Sequence, residues 1–194
     1  MVKVAGVDEV GRGCLAGPVF SAAVILNDNI ETKDIKDSKK ISFKKRILLS
    51  EYIKKNSIYA VGLSSVDEIN KINILNASLL SMQRALVKLK PKPSVAYIDG
   101  IFAPKNVNIK CKTFIKGDEK IICIAAASIV AKTARDLFMI NLDKKYPKYR
   151  WGKNFGYGTA EHLYSLKKYG ITKHHRKKFK PVYNILMKNK RETL

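Results

Sequence analysis

The sequence predicts an α/β protein: a mixed central sheet flanked by helices, with a small helical segment at the C-terminal end. Two observations carry that class. Short β-type runs in the first half are interleaved with stretches of helical spacing, and helices separate pairs of strands rather than following each one. From residue 118 onward only helices are read, one long and the rest in a tail from about residue 146 that is aromatic, basic and more weakly patterned. With 194 residues and 46% hydrophobic content, the chain can bury one substantial core. Residues 1–145 are expected to form that core. Residues 146–194 are expected to be a basic helical segment packed on it as one compact unit.

Taken in order, residues 2–7 and 19–26 are β-type runs joined by a Gly/Pro-rich turn, which reads as a hairpin. Residues 27–42 are polar and charged, a loop. Ser42 can cap a helix over 43–54, and 57–63 is a third strand. Ser65 or Asp67 then opens a helical region in which Ile72, Leu75, Leu79, Met82, Leu86 and Leu89 recur at three-to-four spacing until Pro91. Residues 95–98 form a short strand that delivers Asp99-Gly100, and 112–115 another that leads to Gly117-Asp118. Asp118 is placed to cap a long helix with a continuous apolar face from Ile121 to Ile140. Further helices are expected near 159–168 and 181–188.

Charge narrows the partner. There are 38 Lys+Arg against 16 Asp+Glu, a formal net charge of +22, which favours a polyanion: nucleic acid first, an anionic membrane surface second. The excess is clustered, with no acid between Glu161 and Glu192. No apolar run approaches the roughly 18 residues of a membrane span. The N-terminus lacks the basic-then-apolar plan of a signal peptide, and Cys14, Cys111 and Cys123 are odd in number without CxxC spacing. A cytoplasmic protein with reduced thiols is therefore expected. The only histidines, His162, His174 and His175, lie far along the chain from all three cysteines, so a zinc site is not expected.

Within this basic chain, acids stand where strands end or helices begin: Asp8-Glu9, Asp99 and Asp118. Strand ends are where sites gather in α/β folds. If the strands are neighbours, four carboxylates converge, a costly arrangement unless a cation relieves it. All-oxygen ligands select Mg²⁺ or Mn²⁺, and two such ions can activate water against a phosphodiester. Taken singly, Asp-Gly after a strand is a common turn and Asp118 an ordinary helix cap. Asp8 and Glu9 also pose a geometric question, because adjacent strand residues face opposite sides of a sheet. Arg135 and Asp136 are read as structural or ion-paired.

Gly11-Arg12-Gly13 followed by Gly17-Pro18 is not the dinucleotide fingerprint, because a proline and a strand follow instead of a helix. Glycines there let the backbone approach a ligand closely, and amides beside an arginine can meet a phosphate or a ribose 2′-hydroxyl. Tyr157 lies between two glycines, which favours an exposed ring able to stack on a sugar or base. His174-His175-Arg176 is read as phosphate-facing or structural.

The blocks together resemble the type 2 ribonucleases H (ribonuclease HII). They are Gly6-Val-Asp8-Glu9-Val-Gly11-Arg12-Gly13-Cys-Leu-Ala-Gly17-Pro18; Asp37-Ser38-Lys39-Lys40; Ile72-Asn73-Ile74-Leu75; Ile98-Asp99-Gly100; Lys116-Gly117-Asp118; Ala125-Ala126-Ala127-Ser128; Arg135-Asp136; Gly156-Tyr157-Gly158-Thr159; and His175-Arg176 with Phe179. Their order and their reach over essentially the whole chain make the resemblance specific. It implies an RNase H-like fold and a metal-dependent endonuclease, with Mn²⁺ or Mg²⁺ as cofactor. Such an enzyme cuts the RNA of RNA–DNA hybrids and 5′ to single ribonucleotides in duplex DNA, leaving 3′-hydroxyl and 5′-phosphate ends. The resemblance puts the catalytic, metal-binding carboxylates on Asp8, Glu9, Asp99 and Asp118. It puts substrate contacts on Gly11, Arg12, Gly13, Lys39, Lys40 and Tyr157, and Arg176 joins them as a candidate. Phe155 and Lys178 stand where the family often has lysine and serine. No sliding-clamp peptide is evident, no obligate protein partner is implied, and nothing demands more than a monomer. A DNA junction resolvase of the same fold or a non-catalytic RNA-binding protein are the alternatives. The first would cut all-DNA substrates, and the second leaves the acid cluster unexplained.

Overall fold

A computed structural model describes residues 3–36 and 42–191. Five strands form one mixed sheet in the order β3-β2-β1-β4-β5, with β1 Val4–Val10, β2 Val19–Leu26, β3 Ser57–Ser64, β4 Val95–Asp99 and β5 Lys110–Phe114. The expected hairpin is present, with β1 and β2 antiparallel, while β1–β4 and β4–β5 are parallel. The helices are α1 Lys33–Lys36, α2 Phe43–Lys55, α3 Val66–Lys88, α4 Gly117–Lys120, α5 Ile122–Lys145, α6 Trp151–Asn154, α7 Ala160–Tyr169 and α8 Lys180–Arg191, with a 3₁₀ turn at Pro147–Tyr149.

Two compact units emerge, and neither follows a single cut in the sequence. The first comprises Met1–Val10, Phe20–Leu63 and Ser78–Ala134; the second comprises Gly11–Val19, Ser64–Ala77 and Arg135–Leu194. In the first, strand alternation sorts side chains to two faces. Ala5, Val7, Ala23, Ile25, Ala96 and Ile98 pack with Met82, Ala85 and Leu86 of α3. Ala22 and Val24 pack on the opposite face with Leu49 and Ile53 of α2 and with residues 125–131 of α5. Gly6 permits the second packing, since a Cβ there would lie 2.0 Å from the Cys123 carbonyl carbon. The β3 edge is closed by α3: Arg84 Nη1 donates to the Leu63 carbonyl at 2.8 Å and Lys88 Nζ to that of Val61 at 3.2 Å.

Several expected boundaries move. Ser42 caps α2 as anticipated, its hydroxyl accepting the Lys45 amide. Ser65 opens α3 through a reciprocal box, with the Glu68 amide donating to the Ser65 hydroxyl and the Ser65 amide to the Glu68 carboxylate. That helix is interrupted at Asn73 (φ 67°, ψ 170°), whose Oδ1 accepts the Asn76 amide and restarts it. Asp118 does not cap the long helix. Lys116, in the left-handed region, starts the short α4, and extended Ile121 separates it from α5. The presumed loop after β2 contains α1.

In the second unit, Tyr149, Trp151, Leu142, Met139 and Ala16 form one cluster, and Leu15, Leu166 and Val182 form another. Tyr149 and Trp151, to which the sequence assigns no role, are therefore core, with rings stacked at 5.1 Å.

Candidate active site

The first unit places the expected carboxylates through strand register. β1 and β4 run parallel with Gly6 opposite Tyr97 and Val7 opposite Ile98. The next pair in that register is Asp8 and Asp99, on neighbouring strands and on one face. On that face α5 lies against Gly6. Ser128, just over one helical turn beyond the Cys123–Ile124 contact, donates its hydroxyl to Asp8. The match is metric: two strand residues advance ~6.6 Å and four helical residues ~6 Å.

Asp8 is only 5% exposed. Burial raises its carboxyl well above the ordinary value, Glu9 raises it further and Asp99 adds to the rise, while the Ser128 hydroxyl and the Glu9 amide pull it back. That amide donates to Asp8 Oδ1 at 2.7 Å. Glu9 itself stands opposite Ser21 in the register with β2, so the pleat sends it to the other face, and the two acids couple across the strand rather than side by side. Asp99 Oδ1 accepts the Gly117 amide at 2.7 Å, which ties the end of β4 to the residue preceding Asp118. A Cβ on Gly117 would lie 3.4 Å from that same Asp99 oxygen. Among the described residues, no three Asp, Glu, His or Cys side chains are gathered as they would be around a bound cation.

The second unit holds the glycine turn. Gly11 is buried with φ +90°, whereas Arg12 and Gly13 are exposed. Beneath the turn lie two buried arginines. Arg176 donates from Nη2 to the Gly11 carbonyl at 2.7 Å, from Nη1 to Arg12 at 2.8 Å and from Nε to Gly17 at 3.0 Å. Arg135 donates to the carbonyls of Ala16, Pro18 and Phe155. The structural reading of Arg135 holds. The expected substrate contact at Arg176 is corrected: the residue is 0% exposed and its guanidinium is committed to backbone, so no phosphate reaches it. Burial pushes its pKa down to about 10, which still leaves it charged at neutral pH. Lys39 and Lys40 lie outside the described residues.

Tyr157 is 39% exposed, and its phenol pKa is raised, first by burial and then by Cys14, which its hydroxyl meets. Its backbone is held by a histidine pair. Trp151 Nε1 donates to His162 Nε2 at 3.0 Å, and His175 Nε2 lies 3.1 Å from that same atom. His162 Nε2 is thus an acceptor and His175 Nε2 carries the proton. His175 Nδ1 then accepts the Thr172 amide, and His162 Nδ1–H donates to the Tyr157 carbonyl at 2.9 Å. One set of neutral tautomers accounts for these contacts, with the Trp151 and His175 N–H groups sharing the single His162 Nε2 lone pair. These histidines are neither a surface patch nor metal ligands. Phe155 lends its carbonyl to Arg135 and packs its ring against the Trp151 cluster, a use for which a lysine is not needed.

Sequence reasoning passed over Ser128. Its signal was a lone hydroxyl in an alanine run, Ala125-Ala126-Ala127-Ser128, on a helix expected to be apolar.

Comparison with known proteins converges. Residues 5–182 match the family model described as Ribonuclease HII. A curated Ribonuclease HII of Pelagibacter ubique is 56% identical over 186 residues, covering 96% of this chain and all of that protein. One from Wolbachia is 50% identical over 182 residues, covering 93% of this chain and 89% of that protein. Among solved structures, ribonuclease H2 from Pyrococcus horikoshii superposes with a TM-score of 0.80 at 29% identity, covering 97% of this chain and 99% of that one. The RNase HII of a PCNA complex from Archaeoglobus fulgidus gives 0.74 at 27% identity, covering 92% and 95%. Bst-RNase HIII in complex with Mn²⁺ shares the fold, with a TM-score of 0.78 at 20% identity, covering 98% and 71%.

Proposed function

Since the chain belongs to the ribonuclease HII family and is an endoribonuclease, we propose that it hydrolyses RNA in RNA–DNA hybrids and 5′ to single ribonucleotides in duplex DNA. The products carry 3′-hydroxyl and 5′-phosphate ends. The observation that carries this reading is that Asp8 and Asp99 each follow the last paired residues, Val7 and Ile98, of parallel neighbouring strands, with Glu9 and Asp99 both acting on the buried Asp8.

That donor set fits a hard divalent cation, Mn²⁺ or Mg²⁺: its ligands are carboxylate oxygens, and their mutual repulsion is what a cation relieves. Asp8, Asp99 and Asp118 would hold it directly, with Glu9, which the pleat turns to the other face, adding its negative charge through the strand. When bound, such an ion supplies Lewis-acid stabilisation and a nucleophilic water. The chain's own residues do the rest. Ser128 orients the Asp8 carboxylate, and the Gly117 amide orients that of Asp99. Exposed Arg12 meets a phosphate, the amides of the 11–13 turn meet the 2′-hydroxyl, and the Tyr157 ring packs on the ribose that bears it. Lys39 and Lys40 complete the backbone contacts. The reading includes a monomer acting in the cytoplasm. Among the described residues no helix is long and apolar enough to cross a membrane.

The test uses three labelled duplexes with Mg²⁺ or Mn²⁺: all-DNA, RNA–DNA hybrid, and DNA with one ribonucleotide. Cleavage is expected in the latter two only, and cleavage of the all-DNA duplex would favour a resolvase instead. Asp99→Asn retains an oxygen for the Gly117 amide, so folding and duplex binding are expected to persist while cleavage falls by at least ~10³-fold. Near-wild-type activity would sink the carboxylate assignment.

A further inference from the structure

The buried Arg176 has a use that the carboxylate chemistry does not absorb. Three of its five N–H donors reach three carbonyls of one short segment, Gly11, Arg12 and Gly17. Its guanidinium lies over the Phe179 ring at 5.1 Å. Arg135 takes the carbonyls of Ala16 and Pro18 in the same segment, together with that of Phe155, two residues before Tyr157. The backbone completes the frame: Leu15 donates to Gly156, Gly17 to His174, and Arg176 to Leu15. Two buried guanidinium groups repel one another, and each costs desolvation. The arrangement holds because the carbonyls of Gly11, Ala16, Gly17 and Pro18 would otherwise be buried and unmet.

Peptide planarity turns this into a statement about the exposed side of the turn. In a trans peptide the C=O of one residue and the N–H of the next point in opposite directions. The Gly11 and Arg12 carbonyls point at Arg176, so the N–H groups of Arg12 and Gly13 are directed away from it. A Cβ on Gly11 would lie 2.1 Å from Arg135 Nε, so the turn cannot relax by exchanging that glycine.

We propose that Arg176 is the positioning residue of the 11–13 turn: by drawing the Gly11 and Arg12 carbonyls inward, it aims the following amides at the ribose, and so sets recognition of the RNA–DNA junction. This rests on the turn being the element that grips that junction. A fork of coplanar donors is required, because a lysine ammonium in the same cavity cannot span the same three carbonyls.

Arg176→Lys tests it. Steady-state cleavage is measured on the single-ribonucleotide duplex and on the uniform hybrid, alongside thermal unfolding. Losing one or two of the aligned bonds is expected to raise KM for the single-ribonucleotide duplex about ten-fold, with a smaller change in kcat. The hybrid, which offers a 2′-hydroxyl at every position, is expected to be affected less. Equal losses on both substrates that track the fall in Tm would make Arg176 a fold staple only and overturn the proposal, as would an unchanged KM.

If that variant does not fold, the wild-type protein decides by NMR with duplex added in EDTA. The Arg176 Nε–H signal is expected to exchange slowly and stay in place while the Arg12 and Gly13 amide signals move. The reverse pattern overturns the proposal. Wild-type protein that cuts no ribonucleotide-containing duplex would instead remove the functional reading, and the NMR result would still decide whether Arg176 holds the turn.

Discussion

Single residues here are tuned by what surrounds them, and the histidine pair shows it most directly. His175 is pushed down to about 3, by burial first and then by neighbouring His162 and His174, and His162 is lowered by burial as well. Both are neutral in the fold, whereas in the unfolded chain each takes up a proton near pH 6.5. Stability is therefore fully present above about pH 6.5 and is lost as the pH falls toward 3, because the unfolded state binds more protons in that window. For His175 alone the loss reaches about 2 kcal/mol by pH 5. A Tm series from pH 7.5 to pH 5 is expected to fall steadily, and His175→Gln, which keeps a donor at the Nε2 position, to flatten the slope. An unchanged slope would mean that the pair is not buried neutral. Composition gave no access to this, since His174-His175-Arg176 beside so many lysines reads as surface until the Trp151 and Tyr149 rings are seen to enclose it.

At the scale of elements, the closest fit is between β1 and α5. Gly6→Ala would set a methyl 2.0 Å from the Cys123 carbonyl carbon and 2.3 Å from the Ile124 nitrogen, and backbone atoms cannot rotate aside. A cost of about 1–3 kcal/mol is expected, read as a Tm lower by several degrees. Displacement of α5 also carries Ser128 away from Asp8, so activity at a permissive temperature is expected to drop as well. A variant with wild-type Tm would show that the contact yields. The strands, α2, and the β1–β2 hairpin were legible because alternation and Ser42 capping are local signals. The start of α5 was not, because Asp118 has the chemistry of a helix cap while extended Ile121 and left-handed Lys116 decide the break. The Asn73 interruption was equally hidden, since Ile72, Leu75 and Leu79 keep helical spacing across it.

For the whole molecule, the net charge of +22 is a long-range field that favours encounter with a polyanion before any specific contact forms. If four or more phosphates are neutralised, duplex affinity is expected to weaken by about a hundred-fold or more between about 50 and about 200 mM salt. Titrating labelled hybrid against Asp99→Asn protein isolates this from cleavage, and a flat dependence would mean that the lysines do not carry binding. Of the candidate site, the strand-end positions of Asp8 and Asp99 and the glycine turn at 11–13 were legible, because each follows a β-type run. Which basic residues face outward was not. Arg176 belongs by composition to the basic tail, yet sits at 0% exposure because backbone carbonyls distant in sequence need its donors.

The capped rim of the sheet has a consequence for how this protein meets its own copies. The Val61 and Leu63 carbonyls at the free side of β3 are occupied by Lys88 and Arg84. Gly62 between them lets α3 come so close that a Cβ would lie 2.1 Å from the Ser81 carbonyl oxygen. A second molecule seeking to extend the sheet there would have to displace two cations that its own positive field already repels. Crowding along one nucleic acid strand can therefore bring copies side by side without zipping them into a shared sheet.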